Sequence, residues 1–167
     1  MTYYDEISKG YEELHKEEQE KKIKLIKKHL EISKNDLLLD VGCGTGLTTE
    51  PWDCRKIGID PAKKLIEKAK AKNTKTEYRL APAEDIPFED DKFDIVISIT
   101  AIQNFQDIKK GLEEIKRVGK NKFVLSFLKK SNKKEYIENL IKNMFNIDKI
   151  IEEEKDLIFF VHKQQNI

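Results

Sequence analysis

Short apolar runs alternate with helix-spaced apolar positions along this chain. Residues 37–41, 56–60, 93–99 and 122–128 are compact runs carrying Leu, Ile, Val or Phe, and 76–80 is a shorter-patterned candidate strand. Runs of that length bounded by polar residues predict buried strands. The run at 93–99 alternates little, as a strand covered on both faces should. Two further runs, 148–151 and 157–162, flank residues 152–156 and predict a closing antiparallel hairpin. Between the strands, spacings of three and four predict helices. One stretch carries Ile7, Tyr11 and Leu14 on a face, and a second carries Ile23, Ile26 and Leu30. A third opens at Pro61, a favoured first helical position, with Ala62, Leu65, Ile66 and Ala69 inward. A fourth starts near Asp107 with Ile108, Leu112, Ile115 and Val118 on one side. A fifth, 136–145, turns Ile137, Leu140, Ile141 and Met144 inward. Strands alternating with helices predict an α/β domain with a mostly parallel sheet.

The 167 residues suit one domain, and neither repeats nor low-complexity linkers divide it. Charged residues make up 38%, yet the formal net charge is +1. That balance does not favour nucleic acid or membrane as a partner. A charge-rich surface with little Gly is compatible with heat adaptation. Cys43 and Cys54 fit neither a metal spacing nor a disulfide framework. The first residues are polar and acidic, unlike a secretory signal, and no apolar run is long enough to span a bilayer. A cytoplasmic location is the expectation.

The chemistry concentrates where the first strand meets its loop, at Asp40-Val41-Gly42-Cys43-Gly44-Thr45-Gly46. Glycines there let backbone approach a ligand closely. The dinucleotide fingerprint needs G-x-G-x-x-G, but here the third glycine comes one residue early and Leu47 takes its place. Asp40 would repel a pyrophosphate and suits a ligand that carries positive charge near the loop. Asp60, at the end of the second strand, can accept hydrogen bonds from ribose hydroxyls, cap the following helix, or do both.

The stretches LLLDVGCGTG, KIGIDPAKKLIEKA and APAEDIPFEDDKFDIVISITAIQNF resemble the class I S-adenosylmethionine-dependent methyltransferases, in the small group that includes quinone-biosynthesis enzymes. The resemblance covers most of the chain and is most specific from 37 to 118. It implies a Rossmann-like, doubly wound seven-stranded sheet, mostly parallel with an antiparallel last strand. It implies a single domain over 1–167, with 1–31 as a helical lid and 32–167 as the cofactor-binding core. S-adenosylmethionine is the implied cofactor and S-adenosylhomocysteine the product. Asp40, Gly42, Cys43 and Gly44 are the implied residues around the methionine half, with Ser98 and Ile99 beside it. Asp60 and Pro61 fall to the ribose side, and Ala83 and Glu84 to the adenine side with Ile86 nearby. Cys43 also reads as a small packing residue within that loop.

Four features depart from the family pattern. Pro82 stands where many relatives carry an Asp for the adenine amino group, which leaves Glu84, Asp85 or backbone for that task. The link from Gly46 to Asp60 is short and holds Pro51 and Trp52, so its helix must be brief. Ile102-Gln103-Asn104 replaces Leu-His-His after the fourth strand, and the turn before the fifth is reduced to Gly119-Lys120-Asn121.

Methyl transfer from a sulfonium needs alignment and exclusion of water more than a reactive side chain. Accordingly, no catalytic residue stands out, and no metal is expected. Tyr4-Asp5 and Tyr11-Glu12 resemble the lid pattern of relatives. Tyr11 and Gln103 are expected to border the acceptor pocket, although Tyr11 fits core packing equally and Gln103 fits a polar loop. His15 reads as a base or as an exposed helix histidine. Lys21, Lys22, Lys24, Lys27 and Lys28 form one basic run, and Lys129, Lys130, Lys133 and Lys134 another. They read as solvated helix faces before they read as an RNA surface. The function expected is methyl transfer to a small molecule. The alternatives are a tRNA or protein acceptor reached with an activator subunit, a non-catalytic cofactor-binding scaffold, and, more distantly, an NAD oxidoreductase.

Overall fold

The computed structural model describes residues 3–164, with side chains from Gly10 onward. Seven strands form one sheet: β1 (Leu37–Val41), β2 (Arg55–Asp60), β3 (Glu77–Leu80), β4 (Phe93–Ser98), β5 (Gly119–Leu128), β6 (Phe145–Glu152) and β7 (Asp156–Lys163). Their spatial order is β3-β2-β1-β4-β5-β7-β6. β1 to β5 pair in parallel, and β7 lies antiparallel between β5 and β6. This is the doubly wound, mostly parallel sheet expected. From β1 the chain winds outward to β3, then returns to β4 at the other side of β1. Such a switch point opens a crevice beyond the carboxyl ends of β1 and β4.

Alternate residues of each strand feed two cores. Leu39, Val41, Val96, Phe123 and Phe159 face α3 (Ile108–Val118) and α4 (Lys134–Met144), which contribute Leu112, Ile115, Ile137 and Ile141. On the opposite face, Leu38, Ile95, Ile97 and Val124 pack with Ile23 and Ile26 of α1 (Tyr3–Lys27) and with Trp52. Nearer the β3 edge, α2 (Lys63–Ala71) sets Ile66 and Ala69 against Cys43 and Tyr78. Burying each such large side chain contributes about 1.5–3 kcal/mol.

Several boundaries differ from expectation. The two N-terminal helical stretches are one continuous α1, because residues 15–22 are strong helix formers with no breaker among them. Its two halves behave differently. Ile23 and Ile26 are buried, whereas Tyr11 and Leu14 are 71% and 53% exposed, so core packing of Tyr11 does not occur. The expectations for Tyr4, Asp5 and Ile7 concern side chains outside the described residues. α2 starts at Lys63 rather than Pro61, because Asp60 Oδ1 takes the Ala62 N–H at 2.9 Å and holds 60–62 in a turn. Gly119 opens β5 directly from α3, with no intervening turn. The hairpin is longer than expected: β6 begins as α4 ends, and only 153–155 separate it from β7.

The link after β1 holds no helix, only turns. Trp52, 3% exposed, fills the place against Ile95 and Ile97 and donates from Nε1 to Thr48 O at 2.8 Å. Carbonyls that a helix would have paired are satisfied by lysine ammonium groups instead. Lys27 reaches Pro51 O at 2.6 Å, Lys56 reaches Glu50 O and Trp52 O at 3.0 and 2.6 Å, and Lys72 reaches Thr45 O at 2.7 Å. Among the described residues, no helix is long and apolar enough to cross a membrane.

Candidate cofactor and acceptor site

A cavity of about 500 Å³ lies in the crevice at the switch point, a size suited to a small-molecule site. Its floor is the glycine loop. The N–H groups of Gly42 and Cys43 are pinned to Ile59 O at 2.9 and 3.0 Å, which ties the loop to β2. Gly42 has φ +78°, and a Cβ there would meet Ala101 Cβ at 2.6 Å. Gly46 has φ +94°, and its Cβ would collide with the Tyr78 hydroxyl, which itself bonds Glu50 at 2.6 Å. Neither position accepts another residue without moving its neighbour.

Two carboxylates shape the floor. Asp60 Oδ2 accepts the Gly44 N–H at 3.0 Å while Oδ1 holds Ala62; it ties the glycine loop to the turn before α2, whose N-cap is Ala62, rather than capping that helix itself. Each oxygen keeps a lone pair for a ribose hydroxyl. Asp40 is fully buried beneath the loop rather than on the cavity wall. Its Oδ2 accepts the hydroxyls of Thr48 and Thr49 at 2.7 Å each, and its Oδ1 has no hydrogen-bond partner. Burial raises its carboxyl from 3.8 to about 6, against the lowering effect of the two hydroxyls. A buried carboxylate with a spare oxygen favours a cation nearby.

The adenine-side wall follows β3. Pro82, Ala83 and Glu84 line it. Glu84 Oε2 accepts the Asp107 N–H at 3.0 Å. Ile86 sits behind the wall, its peptide held at both ends by α3: Glu114 takes its N–H at 3.0 Å and Arg117 donates to its carbonyl at 2.9 Å. Arg117 also reaches Phe88 O at 2.8 Å and pairs with Glu114 at 2.6 Å, which keeps the Glu114 carboxyl low.

The cavity thus brings together Gly42, Cys43, Gly44, Asp60, Pro61, Ala83, Glu84 and Ile99. Ser98 does not reach it; its hydroxyl donates to Val41 O at 2.8 Å. Cys43 packs on Gly58 and Tyr78, and burial pushes its thiol far above the ordinary range. The expected acceptor pair stands elsewhere. Tyr11 projects from α1 beyond the cavity, parallel to the His15 ring at 6.4 Å. Gln103 turns inward and donates to Thr100 O at 2.9 Å. His15 and Gln19 of α1, with Thr100, Asn104 and Gln106, line the cavity instead. Among the described residues, no group of three His, Cys, Asp or Glu side chains could hold a metal ion.

A family model described as a methyltransferase domain matches residues 39–127, more than half of the chain. The chain belongs to the class I S-adenosylmethionine-dependent methyltransferase family. Among curated relatives, an uncharacterized protein of Methanocaldococcus jannaschii is 31% identical over 86% of this chain and 57% of its own length. The ubiquinone biosynthesis O-methyltransferase of Pelagibacter ubique is 34% identical over 62% of this chain and 46% of its own. The chain spans about half the length of the curated relatives it matches. Among solved structures, a Haloferax volcanii methyltransferase in complex with its Trm112 activator superposes with TM-score 0.77 at 17% identity, over 97% of this chain and 96% of that one. The Synechocystis magnesium protoporphyrin IX methyltransferase with bound S-adenosylmethionine gives 0.70 at 16% identity, over 90% and 80%. Both share the fold of this methyltransferase-family chain. Its residues fit the family's cofactor on their own terms. The open Gly44 and the accepting Asp60 suit a ribose, and the Asp40 carboxylate buried beneath the loop suits a positive charge above it through its field rather than by contact.

Proposed function

We propose that the chain transfers a methyl group from S-adenosylmethionine to a small molecule. The observation that carries this reading is the convergence of eight expected cofactor residues on one cavity at the switch point, which His15 and Gln19 of α1 also line. Asp60 accepts the ribose hydroxyls, Ala83 and Glu84 border the adenine, and Asp40 answers the positive charge through its field. When bound, the cofactor supplies a methyl already activated on a sulfonium, whose leaving group is neutral. The chain's part is to align an acceptor behind that methyl and to exclude water, which is worth about 7–11 kcal/mol in favourable cases. Residues 1–31 act as the lid. Within them His15 and Gln19 face the acceptor, together with Asn104 and Gln106.

Two features favour a small acceptor over RNA. The first basic run is dispersed, because Lys22 is buried and Lys27 is spent on Pro51 O. Lys129 pairs with Glu152 in the second. A tRNA or protein acceptor, reached with an activator subunit, is the alternative; the likeness to a Haloferax methyltransferase in complex with an activator supports only the activator part. Calorimetric titration of wild type and Asp60→Ala with S-adenosylmethionine, S-adenosylhomocysteine and NAD tests the cofactor. Micromolar binding of the first two, lost in the variant and absent for NAD, is expected; tight NAD binding would overturn the reading. Methylation of cell extract with labelled cofactor, divided into small molecules, RNA and protein, then tests the acceptor. Label confined to RNA or protein would decide for the alternative.

A further inference from the structure

Behind the acceptor end of the cavity lies a buried polar cluster that the cofactor site does not use. Lys22 of α1 is 2% exposed, and Asp156, which opens β7, is fully buried. The Lys22 ammonium stands 3.3 Å from Asp156 Oδ1. It also donates to Gln19 Oε1 at 3.0 Å and to Thr100 Oγ1 at 3.1 Å. Thr100 Oγ1 donates onward to Asp156 Oδ2 at 2.6 Å, where Ser126 Oγ also donates at 2.9 Å. Gln19 and Thr100 line the cavity; Lys22 and Asp156 do not.

Thr100 has φ +55°, a left-handed conformation that a β-branched residue strongly disfavours. Such strain persists only where the surroundings over-determine it. Here they do so at three points. Its N–H donates to Ser126 Oγ at 2.9 Å, its hydroxyl is held by Lys22 and Asp156, and its carbonyl accepts from Gln103. A buried ion pair is a poor way to gain stability compared with apolar packing, and its best use is to select one arrangement. This one joins α1, the segment after β4, and β7, which lie far apart in sequence.

We propose that the Lys22–Asp156 pair is a positioning device: it locks Gln19 and Thr100 into one wall and so sets how long an adenosyl ligand is retained in the cavity. The proposal rests on reading this cavity as the cofactor site. Gln19 and Thr100 face what is bound, and the ion pair acts through them. Apolar residues in its place would still hold α1 on the sheet, but they would leave Thr100 and Gln19 free to relax.

The test uses the whole chain and tritiated S-adenosylhomocysteine, chased with unlabelled ligand to give the dissociation rate. The variants are Lys22→Met, the milder Ser126→Ala, and the apolar swap Lys22→Met/Asp156→Leu, each with its melting temperature. Lys22→Met and Ser126→Ala should release ligand about tenfold faster with association within twofold. The apolar swap should recover melting temperature relative to Lys22→Met and still release ligand fast. Dissociation rates that simply follow melting temperature across the set, or a wild-type rate in the apolar swap, would overturn the proposal. Where Lys22→Met does not fold, Ser126→Ala and the apolar swap decide by the same criteria. Failure of wild type to bind is a different result, since it removes the cofactor reading and this proposal with it; binding with unchanged variant rates removes this proposal alone.

Discussion

The glycine-loop wall built on β1 and β2 and the wall made by α1 and the segment after β4 are held by different kinds of contact. The first is local. Gly42, Cys43 and Gly44 hang on Ile59 and Asp60 through backbone N–H groups, within one β-turn-β unit. The second is assembled from remote parts of the chain: Lys22, Thr100, Ser126 and Asp156 meet only in the folded state. A locally built wall is preorganised by its own backbone. A remotely assembled one depends on the whole fold, and it can respond to what is bound.

The largest effect should expose that dependence. Lys22→Met leaves Asp156 uncompensated and should cost about 3–5 kcal/mol of stability, measured by urea unfolding. A loss below about 1 kcal/mol would mean the second wall does not lean on the pair. Next, Asp60→Ala removes hydrogen bonds to a charged acceptor, each worth about 1.5–3 kcal/mol. S-adenosylhomocysteine affinity should fall roughly 100-fold or more in calorimetry.

A smaller effect separates Asp40 from Asp60. Burial raises the Asp40 carboxyl to about 6, so the folded chain favours its protonated form. That contribution to stability is complete below about 3.8 and is lost as pH rises through about 6. A bound cation reverses the preference. Affinity for S-adenosylmethionine should therefore weaken by up to about tenfold between pH 7.5 and pH 5, since each unit below the carboxyl's value costs at most a factor of ten. The pH dependence should vanish in Asp40→Asn; its survival there would assign it to another group. Smallest of all, Tyr11→Ala should change stability by less than about 0.5 kcal/mol, as surface substitutions do. A clear loss of ligand affinity in that variant would bring Tyr11 back to the cavity.

Much of this molecule was legible before folding was considered. Strand and helix identity followed from residue spacing, and the glycine-loop floor of the cavity followed from Asp40-Val41-Gly42-Cys43-Gly44-Thr45-Gly46 and Asp60, because backbone needs there are met by neighbouring residues. Helix continuity across 15–22 was hidden because apolar spacing lapses where good helix formers continue. The early third glycine, with Leu47 in its place, already set the loop apart from the dinucleotide fingerprint in the sequence. Only the tertiary structure decided the second wall. Gln103 and Asn104 are adjacent in sequence, yet one turns in to Thr100 and the other lines the cavity. Lys22 stands in an ordinary lysine run, and Asp156 in a hairpin; nothing local marks either as buried. Their pairing depends on β7 entering between β5 and β6 and on α1 crossing the sheet above it. Contacts between distant segments are properties of packing, and no local pattern of residues encodes them.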